Sequence, residues 1–127
     1  MPVKIHWEDR GVFLEYSDVV PLEDYLAALN LVISDSRFDN IRYAICDYTN
    51  EVPSPQGATY DQEVNEVLAT FMTGFLKDKY FAIADVVSNP ALLLKSEEYA
   101  KLASHPFAIF KHVTDARNWI SDYLAKE

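Results

Sequence analysis

Cysteine occurs once in the 127 residues, at Cys46, and glycine only three times. A single cysteine excludes an intramolecular disulfide and points to a reducing compartment. The glycines, Gly11, Gly57 and Gly74, are scattered, so there is no glycine-rich loop to cradle a phosphate. Basic residues are scarce as well, 11 against 20 acidic ones, for a formal net charge of −9. That field repels a phosphate backbone and no basic stripe offsets it, which excludes nucleic acid as a partner. The negative charge serves solubility, with an acidic face for a basic protein as the sharper alternative. The apolar runs are too short to span a bilayer. Residues 1–8 hold neither an apolar signal core nor a small-residue cleavage site, so the expected location is cytoplasmic. Linkers, low-complexity segments and internal repeats are missing too.

Half of the residues are hydrophobic, and aromatics are spread along the whole length. One domain covering 1–127 with its own core follows. Stretches 3–8 and 12–16 read as strands joined by Glu8-Asp9-Arg10-Gly11, an antiparallel hairpin. Pro21 fits as a first helical residue, with Leu22, Tyr25, Leu26, Leu29 and Ile33 as the apolar stripe that follows. Strands at 41–48, 80–86 and 107–111 then alternate with helices. Thr59 and Gln62 predict a capping box, ahead of a stripe of Val64, Val67, Leu68, Phe71 and Phe75. Asn89-Pro90 opens the next helix as cap and first residue, carrying Leu92, Leu94, Tyr99 and Leu102. Thr114 is the expected cap of a last helix docked by Trp119, Ile120, Tyr123 and Leu124. The result is an α/β fold: a mixed five-stranded sheet, mainly parallel, with an antiparallel hairpin at one edge, about four helices and right-handed crossovers.

On the interior strands one alternating set is large (Tyr43, Ile45, Phe81, Ile83, Phe107, Ile109) and the other small (Ala44, Cys46, Ala82, Ala84, Ala108, with Phe110 the exception). The expectation is a small-residue sheet face that packs under a close helix, meets a second subunit or lines a ligand site. Ligands of parallel sheets gather beyond the carboxyl ends of the strands. Asp47, Asp85, Lys111 and His112 all fall at that edge and form the candidate ligand or partner edge. Aspartate also ends strands and seeds turns, and this structural role is the preferred one for Asp47 and Asp85. Cys46 has no base aimed at it and reads as a buried, inert thiol. His6 and Glu8 share a strand face, but a metal needs a further ligand, and none is indicated. Neither a cofactor nor a catalytic set is expected.

Three segments carry a resemblance: KIHWEDRGVFLEYSDVVPLEDYLAA, DSRFDNIRYAICDYT and PFAIFKHVTDARNWI. Together they resemble the SpoIIAA-like branch of the STAS-related proteins over most of the chain, mainly at core and turn positions. The resemblance implies a wound β-α superhelix in a bacterial cytosolic protein. Anti-sigma-factor antagonists of this fold carry Asp-Ser-Ser-Gly with a phosphorylated serine at the helix after the third strand. The comparable stretch here is Ser54-Pro55-Gln56-Gly57, so the serine switch is not carried over; Ser54 and Thr59 are hydroxyls nearby that do not match it. The expected function is a non-enzymatic regulatory module that binds a protein partner or itself, possible homodimers included. The alternative, suggested by related lipid-binding folds, is a carrier of a small apolar or anionic ligand at the small-residue face or the strand edge. An enzyme using Asp47, Asp85 and His112 ranks third.

Overall fold

Strand β1 (Val3–Trp7) and strand β2 (Gly11–Asp18) pair antiparallel as the expected hairpin in a computed structural model that describes residues 1–127. Gly11 is needed there for space. A Cβ at that position would run into the Tyr43 ring, which covers the strand start. Strands β3 (Tyr43–Glu51), β4 (Ala82–Val86) and β5 (Phe107–Phe110) complete a sheet of order β1-β2-β3-β4-β5, parallel from β2 onward. Each strand lies next to its predecessor. Crossovers of one hand then place the connecting helices on one side of the sheet. Those helices are α1 (Leu22–Ser34), α2 (Ala58–Leu76) and α3 (Pro90–Ala100), and α4 (Val113–Ala125) covers the other side.

The helix starts depart from the sequence reading in three places. Pro21 is the cap of α1, with extended backbone, and not its first residue. Gly57 caps α2 with φ +83°, a left-handed turn that begins the helix before Thr59, so the Thr59–Gln62 box does not form. Helix α4 starts at Val113, which leaves Thr114 inside it and unable to cap. Asn89 does cap α3: its Oδ1 accepts from the Ala91 N–H at 2.9 Å and the Leu92 N–H at 3.4 Å.

The α2 stripe is also rotated from the expected one. The helix buries Val64, Asn65, Ala69, Met72 and Leu76, while Val67 and Phe75 stand 42% and 44% exposed. Helix α2 packs chiefly against α3 rather than α1, which turns its contact line toward Asn65 and small Ala69.

Two cores result. Leu14, Val12, Ile41 and Val64 belong to the one beneath α1 to α3; Ile45, Ala84, Val86 and Ile120 belong to the one beneath α4. Full burial of each such aliphatic side chain contributes about 1.5–3 kcal/mol. The register corrects the small-residue face. Tyr43 sits beside Ala82, Ala44 beside Ile83 and Ile45 beside Ala84, so large and small side chains alternate between neighbouring strands on both faces. Ala82 and Ala84 lie under α4, whereas Ala44 and Cys46 lie on the opposite side. No single small-residue face exists, because the strands are offset by one residue relative to the assumed alignment.

Candidate functional site

The carboxyl ends of β2, β3 and β4 open, on the α1–α3 side, onto a cavity of about 70 Å³ lined by 16 residues, 11 of them hydrophobic. Alternation along β3 aims Cys46 and Tyr48 into it, and register brings Asp85 of β4 beside Cys46. Strand β2 slips register between Glu15 and Ser17, and Tyr16 stacks on Tyr48 with ring centroids 4.6 Å apart. Helix α1 adds Tyr25, and α3 adds Lys95, Ser96 and Tyr99.

Polar groups in this cavity fall into two sets. At one end the Tyr25 hydroxyl donates to Glu51 Oε1 at 2.5 Å and accepts from Lys95 Nζ at 3.0 Å. Glu51 is buried at the last position of β3. Its burial raises the carboxyl above its usual range, against the pull of Tyr25 and Lys95. Lys95 is lowered by its own burial, and Glu51, Asp61 and Asp85 oppose that. At the other end Asp85, 4% exposed, accepts one hydrogen bond, from Ser96 Oγ at 3.0 Å. Burial pushes its carboxyl up to about 8 despite Ser96, so it holds its proton at neutral pH. The Cys46 thiol is driven well up by burial and by Asp85, which keeps it protonated, as the inert reading of this residue has it.

Asn65, 3% exposed, ties the wall together by donating from Nδ2 to the Lys95 carbonyl at 3.0 Å. Asn65 and Lys95 also line an open groove of about 410 Å³ between α2 and α3, so these two side chains stand between the cavity and that groove.

Of the four residues expected at the strand edge, only Asp85 enters the cavity. Asp47 lies beside Val86, on the α4 side, and folds onto its own loop, accepting from the Thr49 N–H at 3.0 Å and from Thr49 Oγ1 at 2.5 Å. Lys111 and His112 are exposed in the turn into α4. The structure therefore does not bring Asp47, Lys111 or His112 to Asp85. His6 and Glu8 are likewise separately engaged: His6 Nε2 lies 2.6 Å from Glu15, and Glu8 is gripped by Arg117 at 2.7 and 3.0 Å and by the Tyr43 hydroxyl. No three His, Cys, Asp or Glu side chains converge as a metal site would need.

Tyr16, Tyr25, Glu51, Asn65, Lys95, Ser96 and Tyr99 escaped the sequence reading, since four separate elements and α2 supply them. One signal was available. Asp85 interrupts the run Phe81-Ala82-Ile83-Ala84-Asp85-Val86-Val87, and a parallel strand covered on both faces has no solvent side for a carboxyl.

The hairpin, the sequentially wound mixed sheet and the four helices define a SpoIIAA-like α/β fold. The chain is similar to the crystal structure of an uncharacterised protein of the DUF3478 family, described as having a SpoIIAA-like fold, from Shewanella loihica PV-4. The TM-score is 0.58 at 18% identity, over 92% of this chain and 90% of that one. No family model matches the chain, and no curated protein matches it in sequence.

Proposed function

We propose that this chain is a non-catalytic SpoIIAA-like module that binds a small, largely apolar molecule in the cavity beneath α1, α2 and α3. The observation that carries this is a mostly apolar cavity into which a buried carboxyl, Asp85, presents acceptor sites that one serine leaves unfilled. A sheet packed only for stability would place an aliphatic side chain there. A non-catalytic role is supported by the protonated Cys46 thiol and by the separation of Asp85 from Asp47, Lys111 and His112. No helix is long and apolar enough to cross a membrane, and the free, buried Cys46 supports a cytoplasmic location. Native mass spectrometry of freshly purified protein is the test. A retained small mass is the expected result, and a clean apo mass that no added small molecule shifts would count against the proposal.

A second role, binding a protein partner or a second copy, is supported by α2. Exposed Val67 and Phe75 flank half-buried Phe71 at four-residue spacing, the two phenylalanine rings lying 4.9 Å apart. Ser54-Pro55-Gln56-Gly57 would give that module no serine switch. Light scattering over a concentration series, with Phe75→Glu as control, tests self-association; a strict monomer for both proteins would remove it.

A further inference from the structure

Building on the cavity-binding role proposed above, we infer the ligand's chemistry: a small alkylammonium ion, with Asp85 as its counter-ion and the surrounding tyrosines as an aromatic cage.

Three observations carry this. First, Asp85 is buried without a cation of its own, because the one ammonium in the cavity, Lys95 Nζ, is hydrogen-bonded to Tyr25 at 3.0 Å. Second, an ionised Asp85 has no compensating charge. Glu51 from β3, Asp85 from β4 and Lys95 from α3 give two carboxyls for one ammonium. The other titratable groups facing Asp85 are the Tyr16, Tyr25, Tyr48 and Tyr99 hydroxyls and the Cys46 thiol, all held neutral by burial. Helix α2 contributes only the Asn65 amide and apolar side chains, and β5 only Phe107. Once Asp85 ionises, only a cation restores neutrality, and an anion would meet two carboxylates. Third, the walls are aromatic. Tyr16 packs on Tyr48 and, at 5.4 Å, on Tyr25, while Tyr99 meets Phe107 at 5.1 Å. Ring faces attract cations, and Lys95 Nζ already sits 4.5 Å from the Tyr25 centroid. A cavity of about 70 Å³ has room for about two waters at their liquid volume of roughly 30 Å³ each, the size of a one- or two-carbon amine.

Binding then displaces a proton: neutral Asp85 plus R–NH3⁺ gives a carboxylate–ammonium pair and one H⁺ released to solvent. With the Asp85 carboxyl near 8 in the empty cavity, release is about one proton per molecule bound at pH 6.5 and about 0.1 at pH 9, and affinity rises about fiftyfold from pH 6 to 8. Isothermal titration calorimetry of the full chain at pH 6.5 with ethylamine, ethanol and acetate, each in phosphate and in MOPS, counts the protons. The expected result is ethylamine at least tenfold tighter than the other two, with that proton release; Asp85→Asn should abolish the release and weaken ethylamine at least tenfold. The wild-type proton count stands whether or not the variant folds. Ethanol binding as tightly as ethylamine, tighter acetate binding, or ethylamine binding without proton release would each overturn the inference while leaving a binding cavity intact. If none of the three binds, the inference also falls, and the native mass spectrum decides whether the cavity-binding role falls with it.

Discussion

Replacing Asp85 by Asn should make this protein more stable, and increasingly so as pH rises. The carboxyl titrates near 3.8 when solvated and near 8 when folded. Between those values the native state holds one proton more than the unfolded state, so stability falls with rising pH at about 1.4 kcal/mol per unit. The loss begins near pH 4, is complete near pH 8 and levels off above it. Across the full interval it reaches about 6 kcal/mol as a ceiling, and relaxation or water penetration around the ionised group brings it to about 3 kcal/mol. Against a typical domain stability of about 5–15 kcal/mol this is a large fraction. Asparagine matches the shape, still accepts from Ser96 Oγ and never ionises. At pH 4.5 the variant should therefore lie within about 1 kcal/mol of wild type, and at pH 8.5 it should exceed wild type by about 3–6 kcal/mol. Urea unfolding followed by the fluorescence of Trp7 and Trp119 at pH 4.5, 6.5 and 8.5 measures this, and other titrating groups cancel in the difference. A stability difference that stays constant with pH, or a less stable variant at pH 8.5, would refute the reasoning.

Gly11→Ala should cost about 2–4 kcal/mol, because the new methyl must displace the Tyr43 ring and with it the hydroxyl bonded to Glu8; combining it with Tyr43→Leu should recover part of the loss in thermal melts. Asn89→Ala removes the only acceptor side chain at the start of α3, and a loss of about 1 kcal/mol in urea titration is expected. Iodoacetamide should modify Cys46 only as fast as the structure opens, so the rate should climb with urea; modification of the native protein at the rate of a free thiol would show that the cavity wall is not closed.

The architecture was legible because it depends on period and punctuation. Apolar runs bounded by turn residues marked all five strands, and Asn89-Pro90 marked α3 to the residue. What failed were questions of relation between elements. Whether Ala44 shares a face with Ala82 or with Ile83 depends on register, and a shift of one residue reverses it. The α2 stripe was misread because helical spacing allows several contact lines, and its position against α3 chooses among them. The strand edge was the right neighbourhood, but Asp47 and Asp85, both one residue from a strand's last apolar position, point to opposite sides. Their separation follows from the same alternation that the sequence displays, once Cys46 rather than Asp47 is placed beside Asp85.

The two faces of the sheet divide the work of this small domain. Under α4 the contacts are Ile45, Ala82, Ala84, Val86, Ala116 and Ile120, all apolar and all buried. Such packing specifies the helix position chiefly through volume; the one polar group in the cluster, the Tyr43 hydroxyl, donates to Glu8. Beneath α1 to α3 the same sheet presents tyrosines, a thiol and carboxyls, and Asp85 keeps acceptor sites that Ser96 does not fill. A polar face of this kind stabilises less than aliphatic packing of equal volume. The sheet tolerates that on one face because the other is conventionally packed and because both share the central strands β3 and β4. On the proposal that a cation binds beside Asp85, the stability lost by ionising that carboxyl would be regained on binding, because a ligand that binds only the folded state stabilises it.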